Sequence, residues 1–224
     1  MIKIWGRVNS VNVQKVLWCC DELGLPYERI DAGLQFGRNN EPAYLAMNPN
    51  GRVPTLEDGD FVLWESNSIL RYLALQYGGA GLPGSGNPAS AKPGSGPGLY
   101  PAEPRLRASI DRWLDWTLST LQPAERSVFW GLVRTPAAER DMAAIQAAAD
   151  ACGKLWQMLD AHLAGRAYAE GEAFSLADIV LGAYCRRYLD LDGIQRPALP
   201  NVQKWYDGLK RRPAFQRYVA PALT

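Results

Sequence analysis

The sequence contains few of the residues on which metal and hydrolytic chemistry usually depend. Its 224 residues include one histidine and four cysteines, and no two cysteines form a C-x-x-C pair. These residues make no metal-ligand pattern, so no metal site is expected. A histidine-dependent catalytic triad would depend on His162 alone, and we expect this residue to complement a helix end.

The chain also has no excess of either charge and no long apolar run. It carries 24 Lys and Arg against 23 Asp and Glu, which provides no overall field for binding nucleic acid. No apolar run approaches the roughly 18 residues of a membrane span, and no basic-then-apolar leader opens the chain. Cys19 and Cys20 lie in an apolar, helix-like stretch and are expected to be buried thiols. We therefore expect a cytoplasmic protein without nucleic-acid or membrane partners.

The start of the chain alternates between strand and helix signals. Residues 1–5 form a short apolar run, residues 27–30 are predicted to form a second strand, and the segment between them has helical periodicity up to Gly24. This order predicts two parallel strands joined by a helix. A stretch rich in glycine and asparagine follows and is predicted to be a loop.

A hairpin and a further helix complete the first domain. Residues 53–57 and 61–64 flank an Asp-Gly pair, which is a strong hairpin signal. Ser66 or Asn67 is expected to cap the helix that follows. The βαβ–ββα order predicts an α+β domain with a mixed four-stranded sheet over residues 1–77.

The rest of the chain has a different character. Residues 78–104 are predicted to form a linker, because 15 of the 21 residues from Gly78 to Gly98 are Gly, Pro or Ser. Residues 105–224 have helical periodicity almost throughout and predict an all-α bundle.

Two signals set helix starts within the predicted bundle. Thr135-Pro136 is typical of an N-cap followed by proline. Ser175-x-x-Asp178 resembles a capping box that opens a later helix.

A first candidate site lies at residues 9–12, between the first predicted strand and helix. N–H groups at a helix start form an anion site, and the Ser10 hydroxyl or the Asn12 amide could add one directed donor. Alternatively, either residue simply caps the helix.

A second candidate site combines Arg52-Val53-Pro54 with Glu65-Ser66. A proline at a strand start cannot donate to the sheet, and a cis Val53–Pro54 bond in a turn would explain its position. Ser66 can offer a hydroxyl and an N–H to a carboxylate, and Glu65 can meet a cation. This set suits a zwitterionic, peptide-like ligand, and the alternative is a capped helix behind an edge strand.

The combination resembles the cytosolic glutathione transferases over almost the whole chain except residues 78–98. The likeness lies in the βαβ–ββα order, the Ser175-x-x-Asp178 box and three runs, which are G-L-P-Y-E from Gly24, N-P-N-G-R-V-P from Asn48 and L-W-E-S-N-S-I from Leu63. The resemblance implies a thioredoxin-like domain that holds glutathione as co-substrate and a helical domain that completes a pocket for an electrophile. It also implies a homodimer with a role in detoxification.

The resemblance assigns roles to the second candidate site. Val53 would pair its main chain with the cysteinyl unit of glutathione, beside Pro54 in cis. Ser66 would hold the carboxylate of the γ-glutamyl end, and Glu65 its ammonium. Arg52 would reach the glycyl carboxylate.

At the first candidate site, the sequence resembles the bacterial serine or asparagine type of the family. Ser10 matches the serine of the phi- and theta-like classes, and Asn12 matches the asparagine of the bacterial nu-like class. No tyrosine precedes Tyr27 and no cysteine stands at position 10, so the tyrosine and mixed-disulfide classes do not fit. Arg38 and Asn39 align with a basic pair that other members use to bind glutathione.

The chemistry implied is stabilisation of the glutathione thiolate by one directed donor and a helix start, with no base required. Trp5, Trp113 and Trp116 are the candidates for the electrophile pocket. Two other functions stay open, which are a glutathione-dependent disulfide or peroxide reductase, favoured by Asn12, and a non-catalytic interaction module.

Overall fold

The computed structural model describes residues 1–78 and 98–224 of the chain. Two compact units are present, Met1–Ala102 and Glu103–Thr224. Most of the predicted linker, residues 79–97, lies outside the described residues.

The first unit is built on a mixed sheet whose described strands lie in the order β2-β1-β3-β4. The strands are β1 (Ile2–Trp5), β2 (Tyr27–Ile30), β3 (Thr55–Asp58) and β4 (Phe61–Trp64). β1 is parallel to β2 and antiparallel to β3, and β3 is antiparallel to β4. The predicted sheet is confirmed, although β3 begins at Thr55, because Pro54 has no N–H to donate to the ladder.

Two helices of the first unit pack on each other, α1 (Val11–Leu23) and α3 (Ser66–Tyr77). α1 ends at Gly24, whose φ of 66° is the left-handed conformation that glycine adopts at helix ends. α3 begins at Ser66 with Glu65 at the N-cap position, so the predicted cap at Ser66 or Asn67 is wrong. The predicted glycine- and asparagine-rich loop contains a short helix, α2 (Pro42–Met47), which proline opens at its first position.

The described part of the second unit is helical, as predicted. Its helices are α4 (Pro104–Trp116), α5 (Gln122–Phe129), α6 (Met142–His162), α7 (Leu176–Leu189), α8 (Pro200–Leu209) and α9 (Pro213–Tyr218). π-helical turns at Thr117–Leu121 and Trp130–Arg134 follow α4 and α5.

The helix predicted to start at Thr135-Pro136 starts later. α6 begins at Met142, and the side chain of Asp141 caps it by accepting a hydrogen bond from Ala144 N. The hydroxyl of Thr135 instead donates to the Trp130 carbonyl in the preceding helical turn. The threonine therefore closes one helix rather than opening the next.

The predicted capping box at the start of α7 is confirmed. Asp178 accepts hydrogen bonds from the N–H and hydroxyl of Ser175 and from Ala169 N, at 2.8–3.0 Å. Trp205 of α8 donates its indole N–H to the same carboxylate at 2.8 Å. Burial raises the pKa of Asp178 against these four bonds. The carboxylate joins the start of α7 to α8 and to the preceding loop.

The sequence also predicts buried cysteine thiols and places His162 at a helix end. The four cysteines, all described, are buried and unpaired with one another. His162 lies in the last turn of α6, and its ring is 2.7 Å from the Ala169 carbonyl.

Among the described helices, none is both long and apolar enough to cross a membrane. The described residues also contain no cluster of three or more metal-binding side chains.

Candidate active site

The ends of three strands bring the candidate residues together. Trp5 is the register partner of Thr55, and Thr55 is the register partner of Trp64. The segments that follow β1, precede β3 and follow β4 therefore leave the sheet at the same end. These segments carry Ser10, Val53-Pro54 and Glu65-Ser66, so the two candidate sites are neighbours.

A close approach at Gly6 fixes the path from β1 to α1. Its φ is 153°, and a Cβ built there would lie 2.5 Å from Val13 Cγ2 and 3.2 Å from Val53 Cβ. Only glycine fits so close to both side chains. This contact places the Val53 segment beside the first turn of α1, and the sequence gives no other sign of it.

Ser10 occupies the N-cap position of α1. Its main-chain carbonyl accepts from Gln14 N at 2.8 Å, and its N–H donates to the Arg7 carbonyl at 3.2 Å. The side chain is buried, and it makes no capping hydrogen bond within the described part of the chain. The backbone of Ser10 therefore starts the helix while its hydroxyl is not used as a cap. Asn12 lies in the first helical turn and is half-buried.

The segment before β3 is held by a polar network that the sequence did not reveal. The Arg52 carbonyl accepts from Tyr44 Oη at 2.6 Å and from Asn48 Nδ2 at 2.9 Å. Both side chains also bond Thr55 Oγ1, at 2.8 and 3.0 Å. Burial raises the pKa of Tyr44, which keeps its hydroxyl protonated as a donor. The bond between Val53 and the following proline is cis, as predicted.

The side chains of the neighbouring loop have different environments. Arg52 is exposed. Asn39 is half-buried and donates to the Gly51 carbonyl at 2.7 Å. Arg38 is exposed and has a φ of 64°. The amide of Asn39 therefore supports the loop that leads to Arg52.

The start of α3 combines an unusual backbone with buried polar groups. Glu65 is exposed and has a φ of 69°, a conformation that side-chain-bearing residues rarely adopt. Its carbonyl accepts from Ile69 N at 2.9 Å. Ser66 and Asn67 follow at once and are 3% and 1% exposed. Glu65 thus presents a carboxylate outward directly beside a buried serine at a helix start.

A buried lysine connects α1 to α3. Lys15 is fully buried, and its Nζ donates to Asn67 Oδ1 at 2.9 Å. Burial lowers the pKa of Lys15 to about 7, and the nearby Glu65 carboxylate opposes this shift. The pairing is not apparent from the sequence, because the two residues are 52 positions apart.

The three tryptophans proposed for an electrophile pocket differ in their environments. Trp5 of the first unit is half-buried, donates to Glu57 Oε1 and lies edge-on to the Tyr44 ring. Trp113 of the second unit is 5% exposed, and its indole N–H donates to Glu170 Oε1 at 2.7 Å. Trp116 is half-buried and packs edge-on against Trp113 at 5.3 Å. Trp113 is therefore a core residue of the helical unit.

Comparisons with known proteins agree with this geometry. The family model for the glutathione S-transferase N-terminal domain matches residues 1–75, and that for the C-terminal domain matches residues 114–213. Glutathione S-transferase GstB of Escherichia coli (strain K12) is 43% identical over 221 residues, with 98% of each chain covered. Glutathione S-transferase 3 of Zea mays is 33% identical, covering 98% of this chain and 93% of its own.

A solved structure gives the same result. The theta class glutathione S-transferase of Xanthomonas axonopodis pv. citri, with glutathione bound, has a TM-score of 0.87 and 50% identity. The alignment covers 100% of this chain and 99% of that one. The resemblance, the fold and the enzyme class predicted from the motifs are thereby confirmed, and the chain belongs to the glutathione S-transferase family.

Proposed function

We propose that this glutathione transferase stabilises the thiolate of glutathione at the start of α1 and directs it at a small hydrophobic electrophile. The observation that supports this site is the shared sheet end marked by Trp5, Thr55 and Trp64. There the start of α1, the main chain that precedes β3 and the exposed carboxylate of Glu65 lie side by side.

The thiolate donor is Ser10 in this proposal, with Asn12 as the second candidate. A free thiol has a pKa near 8.5, and only its thiolate is a strong nucleophile. One hydrogen bond to a charged group contributes about 1.5–3 kcal/mol, which lowers a pKa by about one to two units. The start of α1 adds about 0.3–1 kcal/mol. The Ser10 hydroxyl suits this role because it is not used as a helix cap.

The reaction then needs no base from the protein. The thiolate sulfur forms a bond to the electrophilic carbon. In a substitution the leaving group departs with its bonding electron pair, and in an addition the product takes a proton from solvent. The proton of the glutathione thiol goes to solvent when the thiolate forms.

The γ-glutamyl end binds at Glu65 and Ser66 in this proposal. Glu65 meets the ammonium, and Ser66 donates its hydroxyl and N–H to the carboxylate. A positive φ at a residue with a side chain costs about 1–3 kcal/mol, persists only where the surrounding structure holds it, and is common at ligand-binding sites. The positive φ of Glu65 and its exposure directly beside buried Ser66 support the assignment.

The remaining units of glutathione lie along the segment before β3. The main chain of Val53, beside Pro54, pairs with the cysteinyl unit. The exposed side chain of Arg52 reaches the glycyl carboxylate. Asn39 supports the loop that carries Arg52 by donating a hydrogen bond to the Gly51 carbonyl. Trp5 of the first unit, which is half-buried, is proposed to contact the electrophile.

We further propose residues 1–77 as the glutathione-binding domain and 105–224 as the helical domain, joined by 78–104. A homodimer is supported by β4, an outer strand of the described sheet, which exposes Phe61, Val62 and Trp64. A cytoplasmic location is supported by the four free cysteines.

Activity assays across three substrate classes test the function. We expect turnover of a chlorodinitrobenzene with glutathione that exceeds turnover of a small disulfide or an organic hydroperoxide. Preference for the disulfide or hydroperoxide would favour a reductase. Glutathione binding without any turnover would favour an interaction module.

A further inference from the structure

Lys15 stands out among the buried polar residues because it is a lysine with no exposed surface. Its side chain is 0% exposed, and lysine is almost never fully buried unless its charge is paired. The Nζ donates to Asn67 Oδ1 at 2.9 Å. A buried cation is costly, so its position calls for a reason beyond packing.

The position of Lys15 relates the two halves of the proposed glutathione site. It lies in α1, about one turn beyond Ser10 and Asn12. Asn67 is the second residue of α3 and follows Ser66 directly. The hydrogen bond therefore joins the helix that holds the proposed thiolate donor to the helix start that holds the proposed γ-glutamyl subsite.

The electrostatics point to the same subsite. Burial lowers the pKa of Lys15 to about 7, and the Glu65 carboxylate is the charge that acts against this shift. Lys15 and Glu65 therefore attract each other, and Glu65 and Ser66 are the residues proposed to bind the zwitterionic γ-glutamyl end. Because Asn67 follows Ser66 directly, the protonated form of Lys15 favours an anion bound at Ser66.

We infer that Lys15 is a positioning residue for glutathione: it fixes the start of α3 through Asn67 and places a buried positive charge beside the subsite for the γ-glutamyl carboxylate. This inference rests on the proposed function. Lys15 is not one of the residues proposed to contact the reacting sulfur, so its expected effect is on glutathione binding and not on the chemical step.

The test compares Lys15→Met, Lys15→Gln and Lys15→Arg in the full-length protein, with the exposed Lys154→Met as control. Lys15→Met and Lys15→Gln are expected to raise the KM for glutathione by about tenfold or more, the effect of losing one charged interaction. We expect kcat at saturating glutathione to stay within about twofold. Lys15→Arg restores most of the affinity, and Lys154→Met matches the wild type. Lys15→Gln, which keeps a donor for Asn67, carries the test if the methionine variant does not fold.

Two glutathione analogues identify the part of the substrate that Lys15 serves. One is γ-aminobutyryl-cysteinylglycine, which lacks the γ-glutamyl carboxylate, and the other is glutaryl-cysteinylglycine, which lacks the ammonium. We expect the penalty of Lys15→Gln to disappear with the first analogue and to persist with the second.

An unchanged KM in both neutral variants, a loss confined to kcat, or an equal penalty with both analogues would overturn the inference. Failure of the proposed function is a separate outcome, since the wild-type protein itself would then neither bind nor turn over glutathione.

Discussion

Trp5 and Thr55 are register partners in the antiparallel pair of β1 and β3. The pairing aligns the end of β1 with the beginning of β3. The segment that leads to Ser10 and the segment that carries Val53 therefore leave the sheet side by side. This relationship is the geometric basis of the proposed glutathione site, because the proposed thiolate donor and cysteinyl contact depend on it.

Replacing Ser10 by alanine should raise the pKa of bound glutathione by about one to two units, because a directed donor to the thiolate is lost. The pH dependence of kcat/KM with a chlorodinitrobenzene reports this pKa. The exposed Ser119→Ala is a matched control and should leave the profile unchanged. If Ser10→Ala has the wild-type profile and Asn12→Ala does not, Asn12 is the donor.

Replacing Glu65 by glycine should separate stability from binding. Glycine adopts a positive φ at no steric cost, so the melting temperature should not fall by more than a few degrees. The Kd for glutathione should rise about tenfold or more, because the carboxylate for the ammonium is lost. Calorimetric titration and thermal unfolding measure the two effects. A variant that binds glutathione as tightly as the wild type would show that Glu65 is not a ligand.

Replacing Gly6 by alanine should destabilise the first unit and weaken glutathione binding together. The added Cβ would lie 2.5 Å from Val13 Cγ2 in a backbone conformation with a φ of 153°. We expect a loss of about 2 kcal/mol or more in the free energy of unfolding, measured in urea.

Gly59 is the matched control for this steric effect. Its φ is also positive, at 64°, but a Cβ there would meet nothing within 4 Å in the described parts of the chain. Gly59→Ala should cost only about 1 kcal/mol, from its backbone conformation. Equal losses in the two variants would contradict the close approach at Gly6.

The buried Glu125 should make stability depend on pH. Burial raises its pKa from 4.5 to about 7, although Arg187, 3.4 Å away, opposes the shift. The folded state then binds the proton more tightly than the unfolded state. The stabilisation of the folded state by this proton is fully present below about pH 4.5 and is lost as the pH rises through about 7.

Glu125→Gln should remove that dependence. Relative to the variant, the wild type should lose about 2–3 kcal/mol of unfolding free energy between about pH 5 and pH 8. Urea unfolding at both pH values measures the difference. The exposed Glu139→Gln should behave like the wild type. A parallel pH response in wild type and Glu125→Gln would rule out Glu125 as its source.

Much of the fold follows from local sequence patterns. Tyr27–Ile30 and Phe61–Trp64 form strands with the predicted bounds, because short segments with aromatic and β-branched residues beside turn residues specify strands locally. The capping box at Ser175 is equally local. The predicted start of α6 was wrong, because Thr135-Pro136 has the residue types of a cap while the side chain of Asp141 makes the capping hydrogen bond.

The parts that could not be predicted involve residues distant in sequence. The bond from Lys15 to Asn67 and the support of the Arg52 carbonyl by Tyr44 and Asn48 arise only after the strands and helices pack. The close approach of other side chains to Gly6 also arises only after the strands and helices pack. No periodicity or turn signal encodes such contacts, because they depend on tertiary approach.

Above all, we propose that the protein binds glutathione as a thiolate at neutral pH without a protein base. Ultraviolet absorbance of the thiolate, recorded as glutathione is titrated into the protein across a pH series, measures this directly. We expect the bound thiol to titrate about one to two units below the free value near 8.5. Bound glutathione that titrates at the free value would contradict the claim.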